Sequence, residues 1–99
     1  MLNFTAYTVD QIKDAFGILS GQRYEFIIEI EVEEDDELYT ENGIYIRALY
    51  LVDEGKTGLL KYELFEKATD RYIELELEED ELQAVENFCK EHVQDGAVN

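Results

Sequence analysis

The residues best suited to nucleophilic chemistry are the only cysteine and the only histidine, Cys89 and His92, three positions apart. On a helix, side chains at i and i+3 are neighbours, and a nearby histidine can favour the reactive thiolate. The same spacing also places Cys89 in an apolar helical stripe, where a free cysteine is an ordinary core residue. We favour the core interpretation and expect no catalytic residue in this chain.

Carboxylates are the second group that could carry chemistry, since 25 of the 99 residues are Asp or Glu. Acids spaced two apart, such as Glu29 and Glu31 or Glu74 and Glu76, share a strand face and could serve a small hydrolase. A chain this acidic produces such pairs on any solvated face, and it has no Trp to line a sugar cleft. We therefore predict that the protein is not an enzyme and uses no cofactor.

An acidic segment after residue 33 offers hard oxygen ligands for a divalent cation such as Ca²⁺ or Mg²⁺. The candidate ligands are Asp35, Asp36, Glu37 and Glu41. Their spacing lacks the twelfth-position Glu of an EF-hand loop, and one Cys with one His cannot form a structural zinc site. A solvated loop is the leading interpretation, and a weak cation site stays open as an alternative.

The elements that position these residues are predicted from hydrophobic periodicity. Acidic and apolar residues alternate from Tyr24 to Glu33, which indicates a strand with one apolar and one acidic face. Strands are predicted over 2–7, 23–33, 44–52, 59–67 and 71–77. The period then changes to that of a helix whose apolar stripe comprises Leu82, Val85, Phe88, Cys89 and Val93, with Gly96 as its expected stop. The predicted class is α+β: an antiparallel β-meander of four to five strands, with one C-terminal helix packed on one face.

Strand registers follow from the predicted turns. A tip at residues 69–70 would set Leu64 opposite Leu75, and an odd-length loop at 53–58 would set Leu64 opposite Ile46 and Leu60 opposite Tyr50. The registers and the helical stripe then converge on one core, predicted to contain Phe26, Ile28, Ile46, Leu64, Leu75 and Phe88.

The opposite face of the sheet is predicted to carry apolar side chains as well. Strand parity sends five of them away from the helix, namely Tyr45, Leu49, Leu51, Leu59 and Phe65. One interpretation is that the N-terminal segment covers them through Leu2, Phe4 and Phe16, or that the sheet curls into a partial barrel. The other is that they form a partner surface together with Tyr39, an aromatic residue within the acidic segment.

The composition limits the class of protein and the partners. The length of 99 residues suggests a single domain over 1–99, with a tail at 95–99 that could fray. The content of seven Tyr and five Phe excludes an acidic disordered chain. A net charge of −17 disfavours binding to nucleic acids and to anionic membranes. No secretory signal or membrane-length apolar run is present, so a cytoplasmic location is expected.

Four stretches together carry a family resemblance: residues 16–26, residues 34–43, residues 65–70 and the run Phe88-Cys89-Lys90-Glu91. They resemble an uncharacterised family of short acidic proteins from Gram-positive, Bacillus-type bacteria. The resemblance implies a domain of unknown function, and no functional residue carries over from it.

The function expected from the residues is that of a non-enzymatic, acidic protein-interaction module. Charge favours a partner that is basic or has an apolar and basic surface, and the protein itself is expected to be a monomer or weak homodimer. One alternative is a nucleic-acid mimic whose carboxylates imitate phosphates and inhibit a DNA-binding protein. The other is a small enzyme or a divalent-cation-binding protein.

Overall fold

A computed structural model describes residues 3–12, 21–36, 39–53, 55 and 57–97 of the chain. Five strands form one antiparallel sheet in chain order, and a helix follows them. The elements are β1 (Asn3–Ile12), β2 (Gln22–Glu31), β3 (Ile44–Val52), β4 (Thr57–Glu66), β5 (Tyr72–Ile73) and α1 (Glu79–Ala97). The α+β fold predicted from the sequence, a meander with one C-terminal helix, is confirmed.

The two central strands supply most of the core. In β2 the apolar members of the alternating pattern are buried, and in β3 the matching residues pair with them, so that Ile28 lies opposite Ile46 and Phe26 opposite Ala48. On the far side of β3, Leu64 of β4 lies opposite Ile46, as predicted. Four predicted core residues, Phe26, Ile28, Ile46 and Leu64, are buried in one cluster.

The helix packs its apolar stripe against this cluster. Val85 and Cys89 are fully buried, and the other three residues of the stripe pack against the core from partly exposed positions. Three acids occupy the first turn, where the helix dipole favours negative charge. Gly96 does not stop the helix, which continues to Ala97, because a glycine near a helix end costs at most about 1 kcal/mol. No helix in the described part of the chain is long and apolar enough to cross a membrane.

The N-terminal strand does not cover the outer face of the sheet, which corrects one expectation. It extends the sheet as β1, and a bulge between Phe4 and Ala6 changes the phase of its side chains. Phe4, Tyr7 and Val9 consequently lie opposite helix-side residues of β2 and pack against the core. Leu2 and Phe16, also expected to cover that face, lie outside the described residues.

A second bulge changes the outer face. Lys61 pairs with Leu49, but the next pair is Leu59 with Tyr50, so Leu60 is the extra residue and does not face Tyr50 as predicted. Leu59 thereby moves to the helix side of the sheet and packs against the core. The prediction that Leu59 belongs to an outer apolar patch is wrong, since a bulge reverses strand parity beyond it.

The last hairpin also departs from the predicted register. Leu64 lies opposite Ile73 instead of Leu75, because the turn is longer than two residues and closes with the Glu66 N–H donating to the Arg71 carbonyl at 2.9 Å. Asp70 adopts a positive φ of 55° inside that turn. The pairing of β5 ends after two residues, and Leu75, predicted to lie in the core, is 37% exposed.

Candidate functional site: the corner surface

Exposed apolar side chains concentrate at one corner of the sheet. The described chain has five exposed large hydrophobic residues, and four of them line two adjoining grooves beside β4 and β5. These four, Tyr39, Leu60, Tyr72 and Leu75, define the corner surface. Tyr72 and Leu75 line both grooves, so the two grooves form one continuous apolar surface.

The first groove, of about 390 Å³, lies between β4 and the segment that follows β5. After Ile73 the chain leaves the sheet, and the Leu77 N–H donates a 3.0 Å hydrogen bond to the Tyr62 hydroxyl. Leu77 itself is buried, which anchors the segment beneath the sheet. The departure from β4 exposes Leu60 and Leu75 along the groove walls.

The second groove, of about 530 Å³, lies between residues 71–75 and the end of the acidic loop at Tyr39. The Glu66 carboxylate connects the two sides, since it accepts hydrogen bonds from the Thr40 hydroxyl at 2.9 Å and the Thr69 hydroxyl at 2.8 Å. These bonds lower the pKa of Glu66, and the bond from Thr69 has the larger effect. The carboxylate therefore holds the loop that carries Tyr39 against the hairpin.

An aromatic row leads from the outer face of the sheet to the corner surface. The Tyr45 and Phe65 rings are stacked with centroids 5.2 Å apart, and Phe65 meets Tyr72 edge-on at 5.8 Å. The Tyr45 hydroxyl donates to an Asp70 carboxylate oxygen at 2.8 Å. Burial, and then the Asp70 hydrogen bond, raise the pKa of Tyr45. Tyr72 is thus supported on one side and 53% exposed.

The charge around the corner surface is strongly negative. Seven acids lie between Glu31 and Glu41 and six between Glu74 and Glu81, and neither run contains Lys or Arg. The first run ends beside Tyr39, and the second begins in the wall of the second groove. The two runs therefore place acids on either side of the apolar surface.

The outer face of the sheet is more nearly balanced in charge. Arg47 pairs with Glu25 at 2.8 Å, and Lys67 pairs with Glu29. The hydrogen bond to Glu25 is the main reason that the pKa of Arg47 is raised. Two of the acids on β2 are therefore each paired with a basic side chain of a neighbouring strand or turn.

The predicted interaction residues fall into four different environments. Tyr39 belongs to the corner surface, and Tyr45 and Phe65 form the aromatic row beside it. Leu49 lies half-buried on the outer face, where Leu51 is buried. Leu59 lies on the helix side, as described above.

Sequence reasoning missed Leu60, Tyr72 and Leu75 as surface residues. Uninterrupted alternation of side chains between the two faces of each strand predicts Leu60 and Leu75 on the helix side. Acids alternate with leucines from Glu74 to Glu78 as they alternate with apolar residues along β2, so the sequence gives no sign that pairing ends after Ile73. The two bulges likewise leave no mark in the sequence.

Cys89 and His92, the candidates for nucleophilic chemistry, lie on the helix face that packs against the sheet. The Cys89 side chain is fully buried, and this burial, with a smaller contribution from Glu86, raises its pKa to about 12. The His92 ring packs on Phe88 at 4.4 Å and on Tyr7 at 4.7 Å. The arrangement suppresses a thiolate and fits the core interpretation.

The candidate cation ligands do not form a metal centre among the described residues. No group of three or more His, Cys, Asp or Glu side chains is arranged there to hold a metal ion. Asp35 and Asp36 lie in a turn after β2, Glu41 lies in the turn before β3, and Glu37 lies outside the described residues.

Comparison with known proteins assigns the chain to a family. A family model matches residues 2–96, which is almost the whole chain. The chain belongs to the DUF6509 family, a family of unknown function. No curated protein and no solved structure matches it. The family membership therefore brings no assigned activity, and the corner surface is the feature from which a function can be argued.

Proposed function

We propose that this protein is a non-enzymatic interaction module that binds a basic segment of another protein at the corner surface. The observation that carries the proposal is the clustering of Tyr39, Leu60, Tyr72 and Leu75 between two acidic runs. Interfaces combine desolvated apolar anchors with a polar rim, and aromatic residues are enriched among the anchors.

The lining of the grooves favours a cationic partner. Among the described residues, Glu63, Glu76 and Glu86 line the first groove and Glu66 and Glu74 line the second, against two basic residues, Lys61 and Arg71. A partner that brings lysine or arginine lowers the repulsion among these acids and is attracted over a distance by the net charge of −17. An acidic or nucleic-acid partner would meet repulsion at the same place.

The geometry also favours binding over catalysis. The nucleophile candidate Cys89 is buried away from the grooves, and its raised pKa keeps the thiol protonated at neutral pH. The acids of the grooves stand on open walls that water reaches. Such walls attract cations, but they do not exclude water in the way that a closed catalytic site does.

The test is a binding titration with a fluorescein-labelled peptide in which lysine and phenylalanine alternate. A peptide with glutamate in place of lysine is the control for apolar attraction alone. We expect the lysine peptide to bind at micromolar to millimolar concentration, to bind more weakly as salt rises, and to shift the amide resonances of residues 39, 60, 72 and 75.

Variants of the protein localise the contact. The double substitution Tyr39→Ser and Tyr72→Ser should weaken binding about tenfold or more, as expected for the loss of two aromatic anchors. Ile12→Ser is the matched control, because Ile12 is the one exposed large hydrophobic residue of the described chain outside the corner surface. Equal binding of the lysine and glutamate peptides, or equal effects of the two variants, would contradict the proposal.

A further inference from the structure

β1 forms one edge of the sheet. The strand is the first in the order β1-β2-β3-β4-β5, and within the described part of the chain no strand lies on its other side. From Ala6 to Ile12 its pairing with β2 is regular, without a further bulge. Backbone groups alternate in direction along a strand, so half of the N–H and C=O groups of this stretch point away from β2.

The opposite edge of the sheet shows how this molecule protects an edge. The bulge at Leu60 interrupts β4, the two residues of β5 cover its end, and the Glu86 carboxylate accepts a hydrogen bond from the edge N–H of Leu59 at 3.2 Å. Bulges, short terminal strands and charged side chains are the usual devices against edge-to-edge association.

The edge of β1 has few of these devices over the regular stretch. Its bulge lies before Ala6, and its ten residues contain no proline, no lysine and no arginine. Asp10 is the only charged residue of the strand, in a chain with 25 acids. Ala6 and Thr8 are exposed but small, so their side chains do not block the approach of another strand.

We propose that two copies of this chain pair through their β1 edges to form a symmetric dimer with a continuous ten-stranded antiparallel sheet. Symmetric antiparallel pairing of the whole stretch from Ala6 to Ile12 is centred on Val9. Ile12 then lies opposite Ala6 of the second copy, and Asp10 lies opposite Thr8. Because directly opposed residues share a face, the helices of both copies lie on the same side of the sheet.

The low charge of the β1 edge allows a second copy to occupy it, although the two copies repel each other at long range. The register centred on Val9 places no two acids of β1 directly opposite each other. Asn3 lies beside Glu31, where the first acidic run begins, and antiparallel pairing sends the Asn3 ends of the two copies to opposite ends of the dimer. The second run, Glu74 to Glu81, follows β5 at the far edge of the sheet. The remaining repulsion is long-range, so added salt screens it and strengthens the dimer.

Sedimentation velocity over a range of protein concentration and salt tests the proposal, using substitutions at the exposed Thr8. Thr8→Glu sets like charges opposite Asp10 twice in the dimer, and Thr8→Lys sets opposite charges there twice. At about 0.2–1 kcal/mol for each pair, the dissociation constant should rise about two- to thirtyfold for the Glu variant and fall by a similar factor for the Lys variant.

Matched controls are Gln83→Glu and Gln83→Lys, which make the same changes in net charge at an exposed residue of the first half of α1. The controls should change the dissociation constant only through net charge, and circular dichroism confirms that each variant is folded. A protein that stays monomeric at every salt concentration would overturn the proposal. So would a dimer on which the Thr8 and Gln83 substitutions have the same effect.

Discussion

Phe88 connects the helix to the edge strand β1, and its removal tests the packing of the whole domain. The Phe88 ring contacts Phe4 at a centroid distance of 4.7 Å, Tyr7 at 5.1 Å and His92 at 4.4 Å. It also packs against the buried cluster under the central strands. Phe88→Ala would remove the central ring of this group and leave a cavity between α1 and β1.

The expected cost follows from its burial. Replacing a core Phe by Ala costs about 3–5 kcal/mol, and Phe88 is partly exposed, so about 3 kcal/mol is expected. A domain of this size unfolds with a total free energy of about 5–15 kcal/mol. The variant should remain folded at room temperature but lose a large share of its stability. Phe88→Leu, which keeps most of the apolar contact, should cost less than about 1.5 kcal/mol.

Urea unfolding followed by circular dichroism measures these differences, because the slope reports whether the unfolding still exposes the same surface. Phe65→Ala is the matched control: Phe65 is also partly buried, but it lies on the face opposite the helix and stacks mainly on Tyr45 and Tyr72. Its loss should cost about 1–2 kcal/mol. If Phe88→Ala costs no more than Phe65→Ala, the helix does not depend on this contact and the packing argument fails.

Three further predictions concern Gly21, Cys89 and Glu66. Gly21→Ala should destabilise the fold by more than about 1 kcal/mol in thermal melts. Gly21 has a φ of 72°, and an added Cβ would lie 2.8 Å from the Asp53 Cβ. Gly55→Ala is the control and should be neutral, because open space surrounds Gly55. Cys89 should not react with a thiol reagent in the native state. The pKa of its thiol is near 9 in the unfolded chain, and burial raises that pKa to about 12 in the folded protein. The free energy of unfolding should therefore decrease as pH rises from about 9 to about 12, and Cys89→Ala should make this decrease smaller. Glu66→Ala should weaken peptide binding at the corner surface, because the loop that carries Tyr39 loses its hydrogen bond to the carboxylate. The pKa of Glu66 is lowered in the folded protein, so the contribution of this carboxylate to stability should be lost as pH falls through that lowered pKa.

The central strands and the helix could be predicted because apolar residues recur along each of them at the spacing typical of that element. β3 was predicted with the observed bounds of Ile44–Val52, and the helix stripe was correct in all five positions. These segments are buried over many consecutive turns or strand pairs, so one face must be apolar throughout. Local pattern and tertiary environment then agree.

The edges could not be predicted in the same way. The bulge near Leu60 is decided by whether Leu59 or Leu60 packs against the core, and two adjacent leucines give the sequence no preference. The bulge before Ala6 brings Phe4 into phase with Tyr7, a choice set by contact with Phe88. The turn before Tyr72 depends on Asp70 adopting a left-handed conformation. These choices depend on long-range packing, and the bulge near Leu60 and the turn before Tyr72 determine which apolar residues reach the corner surface.

The two proposed contacts lie at opposite edges of one sheet and should respond oppositely to salt. Attraction between the acidic grooves and a cationic peptide weakens with screening, whereas pairing of two copies of charge −17 strengthens with it. A salt titration of the protein with the lysine–phenylalanine peptide should therefore pass from peptide-bound monomer to peptide-free dimer. Because Thr8 and Tyr72 lie on different edge strands, Thr8→Glu should weaken only the dimer and Tyr72→Ser should weaken only peptide binding. If one substitution weakened both to a similar degree, the two contacts would be one surface and the separation argued from the sheet order would be wrong.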